Sequence, residues 1–224
     1  MTQDEAKLLA ARAAIDLLPE RGTIGLGSGS TAKLFIDAVG ALVKAGRALV
    51  GVATSEGSRA QASTLGIPLL GDEGPWDILL CVDGADEVSA ELDLIKGGGG
   101  CQSREKIVNY SARQNVIIVD ESKLSTKLGE KWPVPIEVLA FGHRATARAL
   151  ERFGEVRMRM RNGAPWMTDA GNHLYDVHAG PIADPARLDR ELRALPGVVE
   201  TGLFVGRADR VIVSGPAGIR QLTR

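Results

Sequence analysis

The sequence predicts an α/β protein: an open, mainly parallel Rossmann-like sheet with an inserted ferredoxin-like α+β subdomain. Three observations predict it. Up to about residue 120, short apolar runs alternate with stretches of helical period. From 131 to 205 the strand-like runs instead alternate apolar and polar residues, the mark of a sheet with one wet face. At 210–215, "RVIVSG" is apolar again and can rejoin the first sheet.

Each element follows from its own pattern. Ala6, Leu9, Ala10, Ala13, Ile15 and Leu18 recur at roughly helical spacing over 3–18. "TIGLGS" (23–28) reads as a buried strand, and Leu34, Ala38, Leu42 and Val43 resume the helical period over 31–44. "ALVGVAT" (48–54) is a second strand, 55–66 a helix closed by Gly66, and "IPLL" (67–70) a short strand. Ile78 to Val82 is apolar on both faces, as a central parallel strand requires. A helix over 101–114 leads into the buried strand "NVIIVD" (115–120). Beyond it, strands at 134–139, 155–160, 172–179 and 198–205 and helices at 142–153 and 185–195 give the order β-α-β-β-α-β, the split βαβ arrangement. Residues 1–130 with 206–224 are therefore expected to form the main domain, and 131–205 the subdomain.

Composition narrows the function. Of 224 residues, 27 are Lys or Arg and 28 Asp or Glu, so the net charge is −1 and no basic face for nucleic acid is indicated. No apolar run approaches the about 20 residues that span a bilayer. Asp4, Glu5 and Asp16 are out of place in a signal peptide, so a cytoplasmic protein is expected. Cys81 and Cys101 share no motif. His143, His173 and His178 lack metal-ligand spacing and read as surface or packed residues.

Four polar stretches follow four predicted strands. In "GLGSGSTAK" (25–33), Gly29 permits a tight turn, and Ser28, Ser30 and Thr31 add hydroxyls at a helix N-terminus, where unpaired N–H groups and the helix dipole favour an anion. A strand-to-helix turn with a Ser/Thr cap would look the same. The sixth position of a G-x-G-x-x-G fingerprint is Ser30, the acid expected about 20 residues on is missing, and there is no G-K-[ST]. A compact phosphate thus fits better than a nucleotide.

In "VDGADEV" (82–88), Asp83 and Asp86 sit at a strand's carboxyl end, flanking Gly84 and Ala85. Two such acids can bind sugar hydroxyls, act as acid or base, or hold Mg²⁺; a solvated Asx turn accounts for one of them. "IKGGGGCQSREKI" (95–107) sets Lys96 beside Gly97, Gly98, Gly99 and Gly100, a backbone suited to close approach to a ligand. Glu105 follows in a first helical turn, either aimed at a ligand or an ordinary solvated Glu. The fourth stretch brings Lys123 after the strand 115–120. Parallel topology collects all four on one sheet edge.

"GLGSGSTA", "DGADE", "KGGGG", "REKI" and "ESK…LG…PVPIEV", in that order, resemble the A-type ribose-5-phosphate isomerases, and the similarity runs along essentially the whole chain. The resemblance implies aldose–ketose interconversion of D-ribose 5-phosphate and D-ribulose 5-phosphate in the non-oxidative pentose phosphate pathway, without metal or organic cofactor. It implies that Glu105 transfers the proton. It implies sugar-phosphate contacts from Ser28–Thr31, Asp83–Asp86, Lys96–Gly99 and Lys123. It also implies a homodimer or tetramer. On this reading Lys96 and the glycine-loop N–H groups stabilise an oxyanion, Asp83 and Asp86 help open the sugar ring, and Lys7 joins the phosphate contacts. Ser28 stands where Thr is frequent and Cys101 where a smaller residue is usual. Other sugar-phosphate enzymes, a coenzyme A transferase and a non-catalytic sugar-phosphate sensor are the competing readings. Residues 1–22 are too short and too acidic for the DNA-binding segment such a sensor carries.

Overall fold

The computed structural model describes residues 1–224. In chain order the first half contains α1 (Gln3–Ile15), β1 (Arg21–Leu26), α2 (Ser30–Lys44), β2 (Ala48–Ala53), α3 (Glu56–Thr64), β3 (Ile78–Asp83), β4 (Glu87–Val88), β5 (Leu94–Ile95), α4 (Gln102–Ser111) and β6 (Asn115–Asp120). The second half contains β7 (Val134–Val138), α5 (His143–Leu150), β8 (Glu155–Met158), β9 (Met160–Arg161), β10 (Ala164–Pro165), β11 (His173–His178), α6 (Pro185–Arg193), β12 (Val198–Thr201), β13 (Leu203–Phe204), β14 (Arg210–Gly215) and β15 (Gly218–Thr223).

The chain forms two compact units and passes from one to the other four times. The first comprises Met1–Ala85, Arg104–Lys123 and Arg207–Arg224. Its sheet has the order β15-β14-β6-β3-β1-β2, parallel except for the β14–β15 hairpin. The apolar runs are buried as their composition demands: Ile24, Leu26, Leu80, Val82, Val116, Ile118 and Ile212 pack with Phe35, Ile36 and Val39 of α2 and the alanines of α1 in one core. Thr2 caps α1 in a reciprocal pair with Glu5, and the acidic first turn suits the helix dipole. Because the strands are parallel, the segments after β1, β2, β3 and β6 leave one edge of the sheet, and α2 and α3 begin there.

The second unit comprises Asp86–Ser103 and Leu124–Gly206. Its four-stranded antiparallel sheet has the order β12-β7-β11-β8, which in chain order of its strands is the 4-1-3-2 ferredoxin-like pattern. Val134, Ile136, Val138, Tyr175 and Val177 pack beneath α5 and α6 through Leu150 and Leu192. This unit is larger than the expected 131–205. Asp86–Ser103 belongs to it because β5 pairs with β13 and Ile95 is part of its core. Leu128, also in that core, draws in the segment from Leu124.

Other differences are local. "IPLL" makes only a single bridge, Leu69 with Gly51, since Pro68 cannot donate to a ladder. β15 has no counterpart among the strands expected from the sequence. It is an edge strand, exposed at most positions, and so lacks the apolar run that marks a buried strand.

Candidate active site

In the first unit, Gly27 follows β1 and donates to the Val82 carbonyl at 3.0 Å, bringing the backbone of the loop between β1 and α2 against β3. A Cβ on Gly27 would stand 2.3 Å from Asp83 Oδ1, so only glycine fits. Asp83, 2 % exposed, accepts from the Ser28 N–H at 2.9 Å and the Gly84 N–H at 2.7 Å. Its carboxylate thereby ties the loop to the end of β3. Gly29, at φ 90° and ψ 178°, is the N-cap of α2. It offers no side chain to the orphan N–H groups, and the first turn carries no acid. That leaves the helix end, with exposed Ser30 and half-buried Thr31, ready for an external anion.

The Ser28 hydroxyl has a different surrounding from its neighbours. It lies 2.7 Å from Thr54 Oγ1, 2.8 Å from Ser55 Oγ and 3.2 Å from Ser58 Oγ. Ser58 donates in turn to the Gly27 carbonyl at 2.6 Å and Thr54 to that of Leu26 at 3.1 Å. This buried hydroxyl cluster braces the loop from the end of β2, and sequence reasoning missed it. The signal was the polar run "TSEGS" (54–58) directly after a strand.

Lys7 of α1 lines a shallow depression with Ser30 and Leu34 and pairs with Asp4 at 3.4 Å. Glu105 stands in the first turn of α4 and is 5 % exposed, so it is not the ordinary solvated glutamate that a helix start can carry. Lys123 ends the short helical turn Glu121–Lys123 after β6. Burial would raise the Asp120 pKa, but hydrogen bonds from the Ser122 hydroxyl and N–H and from Gln3, with the charge of Lys123, outweigh it and hold the pKa below the ordinary 3.8.

In the second unit, Asp86 Oδ2 accepts from the Gly98 N–H at 2.7 Å, and a Cβ on Gly98 would stand 2.5 Å from Asp86 Oδ1. Lys96 is 3 % exposed, its N–H bonded to Gly202 O at 2.9 Å and its Nζ 5.6 Å from the Phe204 ring centre. The structure thus joins Asp86 to the glycine loop and Asp83 to the loop between β1 and α2. Glu87, the third acid of DGADE, is fully buried and accepts from the N–H groups of Gly129, Lys131 and Trp132 at 2.9, 3.0 and 3.3 Å. Its work is to shape the 129–132 loop. Cys101 is half-buried, its Sγ 3.5 Å from the Gly99 carbonyl.

No group of three or more His, Cys, Asp or Glu side chains is placed to hold a metal ion. His143 packs on His173 with ring centres 4.2 Å apart and meets Tyr175 OH at 2.6 Å. Burial, then His173 and Arg144, holds the His143 pKa below 6.5. No helix is long and apolar enough to cross a membrane.

A parallel sheet with polar loops and a buried carboxylate at one edge defines a small-molecule enzyme of the α/β class. The model for ribose 5-phosphate isomerase A (phosphoriboisomerase A) matches residues 50–218. Ribose-5-phosphate isomerase A of Gloeobacter violaceus is 46 % identical over 100 % of this chain and 98 % of its own length. The Thermomicrobium roseum protein of that name is 47 % identical over 100 % and 96 %. Among solved structures, ribose 5-phosphate isomerase A from Methanocaldococcus jannaschii superposes with a TM-score of 0.94 at 40 % identity over 100 % of both chains. A D-ribose-5-phosphate isomerase in complex with phospho-erythronic acid gives a TM-score of 0.97 at 38 % identity, again over 100 % of both. The chain belongs to the ribose 5-phosphate isomerase A family and is an isomerase of that kind.

Proposed function

We propose that this enzyme interconverts D-ribose 5-phosphate and D-ribulose 5-phosphate through an enediolate, with Glu105 as the base, as a step of the non-oxidative pentose phosphate pathway. The observation that carries the assignment is the burial of Glu105, 5 % exposed, in the first turn of the helix that follows the glycine loop. A carboxylate on a rigid element, withdrawn from bulk water, is suited to carry a proton over a short path.

The chemistry balances without a co-reactant. Glu105 takes the C2 proton of the open-chain aldose, and the electron pair of that C–H bond forms the C1–C2 double bond. The former carbonyl electrons move to O1, which becomes the oxyanion. Return of the proton to C1, with transfer of the O2 proton to O1, gives the ketose. Lys96 and the glycine-loop N–H groups stabilise the oxyanion. Asp83 and Asp86 bind hydroxyls and assist ring opening. The α2 N-terminus at Ser30 and Thr31, with Lys7 and Lys123, holds the phosphate, while Ser28 and Gly29 fix that loop's shape. The phospho-erythronic acid carried by a relative, a compact phosphorylated acid, accords with such a site.

The test is Glu105→Gln. Turnover should fall by at least about 10²–10⁴-fold with KM little changed, because base catalysis is worth that much. Turnover near that of the parent enzyme would remove Glu105 from this role.

A further inference from the structure

Arg159, at the irregularity between β8 and β9, is a charged side chain that the mechanism above does not use. Its side chain and that of Asp176 on β11 are 11 % and 17 % exposed. Arg159 Nε donates to Asp176 Oδ2 at 2.9 Å and Nη2 donates to Oδ1, a bidentate pair that fixes the guanidinium plane. The remaining nitrogen, Nη1, donates to the carbonyls of Gly97 and Gly98 at 2.6 and 3.1 Å. Trp166 lies 5.6 Å from the guanidinium carbon and completes its enclosure.

Turning two successive carbonyls toward one cation has a consequence for the N–H groups. In a trans peptide the C=O and the N–H of the next residue point in opposite directions. The first peptide obeys this visibly: Gly97 C=O faces Arg159, and Gly98 N–H donates to Asp86 at 2.7 Å on the other side. The second peptide has Gly98 C=O on Arg159, so its Gly99 N–H is turned away from Arg159 as well. Gly99 is exposed, and a Cβ built there meets nothing within 4 Å. A cation on the carbonyl also polarises the peptide and strengthens its N–H as a donor.

We propose that Arg159, oriented by Asp176, is a positioning residue that aims and polarises the Gly99 N–H toward the oxygen that becomes negative during isomerisation. The inference rests on the enediolate reading above. A donor set in advance serves the charged intermediate more than the neutral sugar, so its loss should appear in kcat rather than in ground-state binding.

The experiment compares Arg159→Lys, Arg159→Ala and Asp176→Asn with the parent enzyme and with Glu105→Gln. Kinetics are measured alongside binding of two ligands. One is phospho-erythronic acid, whose carboxylate mimics the enediolate. The other is an acyclic pentitol 5-phosphate, which has no carbonyl. The expected result is a kcat about tenfold or more lower with KM within about threefold. Affinity for the acid should weaken by about tenfold or more while that for the pentitol phosphate moves less than about threefold. Added guanidinium should restore part of the kcat of Arg159→Ala. Equal weakening of both ligands, or unchanged kcat, overturns the inference. If Arg159→Ala does not fold, Asp176→Asn, which keeps the volume and the arginine, decides. A parent enzyme unable to isomerise ribose 5-phosphate would overturn the functional reading itself. An active parent with unaffected variants overturns only the clamp.

Discussion

At the scale of single residues, the two aspartates of DGADE hold backbone, and glycines stand where they do so. Gly27→Ala should destabilise the protein by roughly 1–3 kcal/mol, because the added methyl meets the Asp83 side chain and α-carbon at 2.3–2.6 Å. Urea unfolding checks this, and a midpoint within error of the parent would contradict it. Asp120 gives a prediction in pH. Its folded pKa lies below the ordinary 3.8 because hydrogen bonds and the Lys123 charge outweigh burial. The stability it contributes is therefore present above 3.8 and lost as pH falls through the lower folded value. Ser122→Ala should lower the melting temperature at neutral pH, and the gap to the parent should close in acid. A gap independent of pH would refute the assignment.

At the scale of elements, capping separates helices closed by a side-chain oxygen from those that begin at a glycine. Thr2 caps α1, Asp184 caps α6 and Ser55 caps α3, each through a side-chain oxygen, whereas α2 begins at Gly29 and α5 at Gly142 without one. Ser55→Ala should cost about 0.5–2 kcal/mol, since it removes a cap on α3 and a partner of Ser28 together. Thermal or chemical denaturation reads that loss, and a neutral substitution would argue against the hydroxyl cluster as a brace. The alternation of apolar runs with helical periods made most of these elements legible. β4, β5 and β10, two residues each, were not, because a ladder that short carries no period, and the runs 155–160 and 198–205, each expected as one strand, are broken into β8 and β9 and into β12 and β13.

At the scale of the whole molecule, two cores are built from one chain that passes four times from one unit to the other. Amide hydrogen exchange should be slowest in β3 and β6, interior strands of the parallel sheet with largely buried residues. It should be fastest in β15 and the β9–β10 hairpin, whose backbone lies at an edge or in exposed residues. Protection in β15 equal to that in β6 would contradict this ranking.

The sequence by itself determined the fold class, the ferredoxin-like order of the second unit, and the four polar stretches proposed to carry the chemistry. Each is written in local signals: period, turn residues, and acids or glycines after apolar runs. Tertiary structure decided the rest. It buried Glu105, which its position in a first turn left open. It separated Glu87, committed to three loop N–H groups, from Asp83 and Asp86. It moved Asp86–Ser103 into the second unit through the pairing of β5 with β13, more than a hundred residues along the chain. It brought Arg159 to the carbonyls of Gly97 and Gly98, some 60 residues earlier. Burial and long-range pairing depend on which surfaces meet when the chain closes on itself, and no local pattern encodes that.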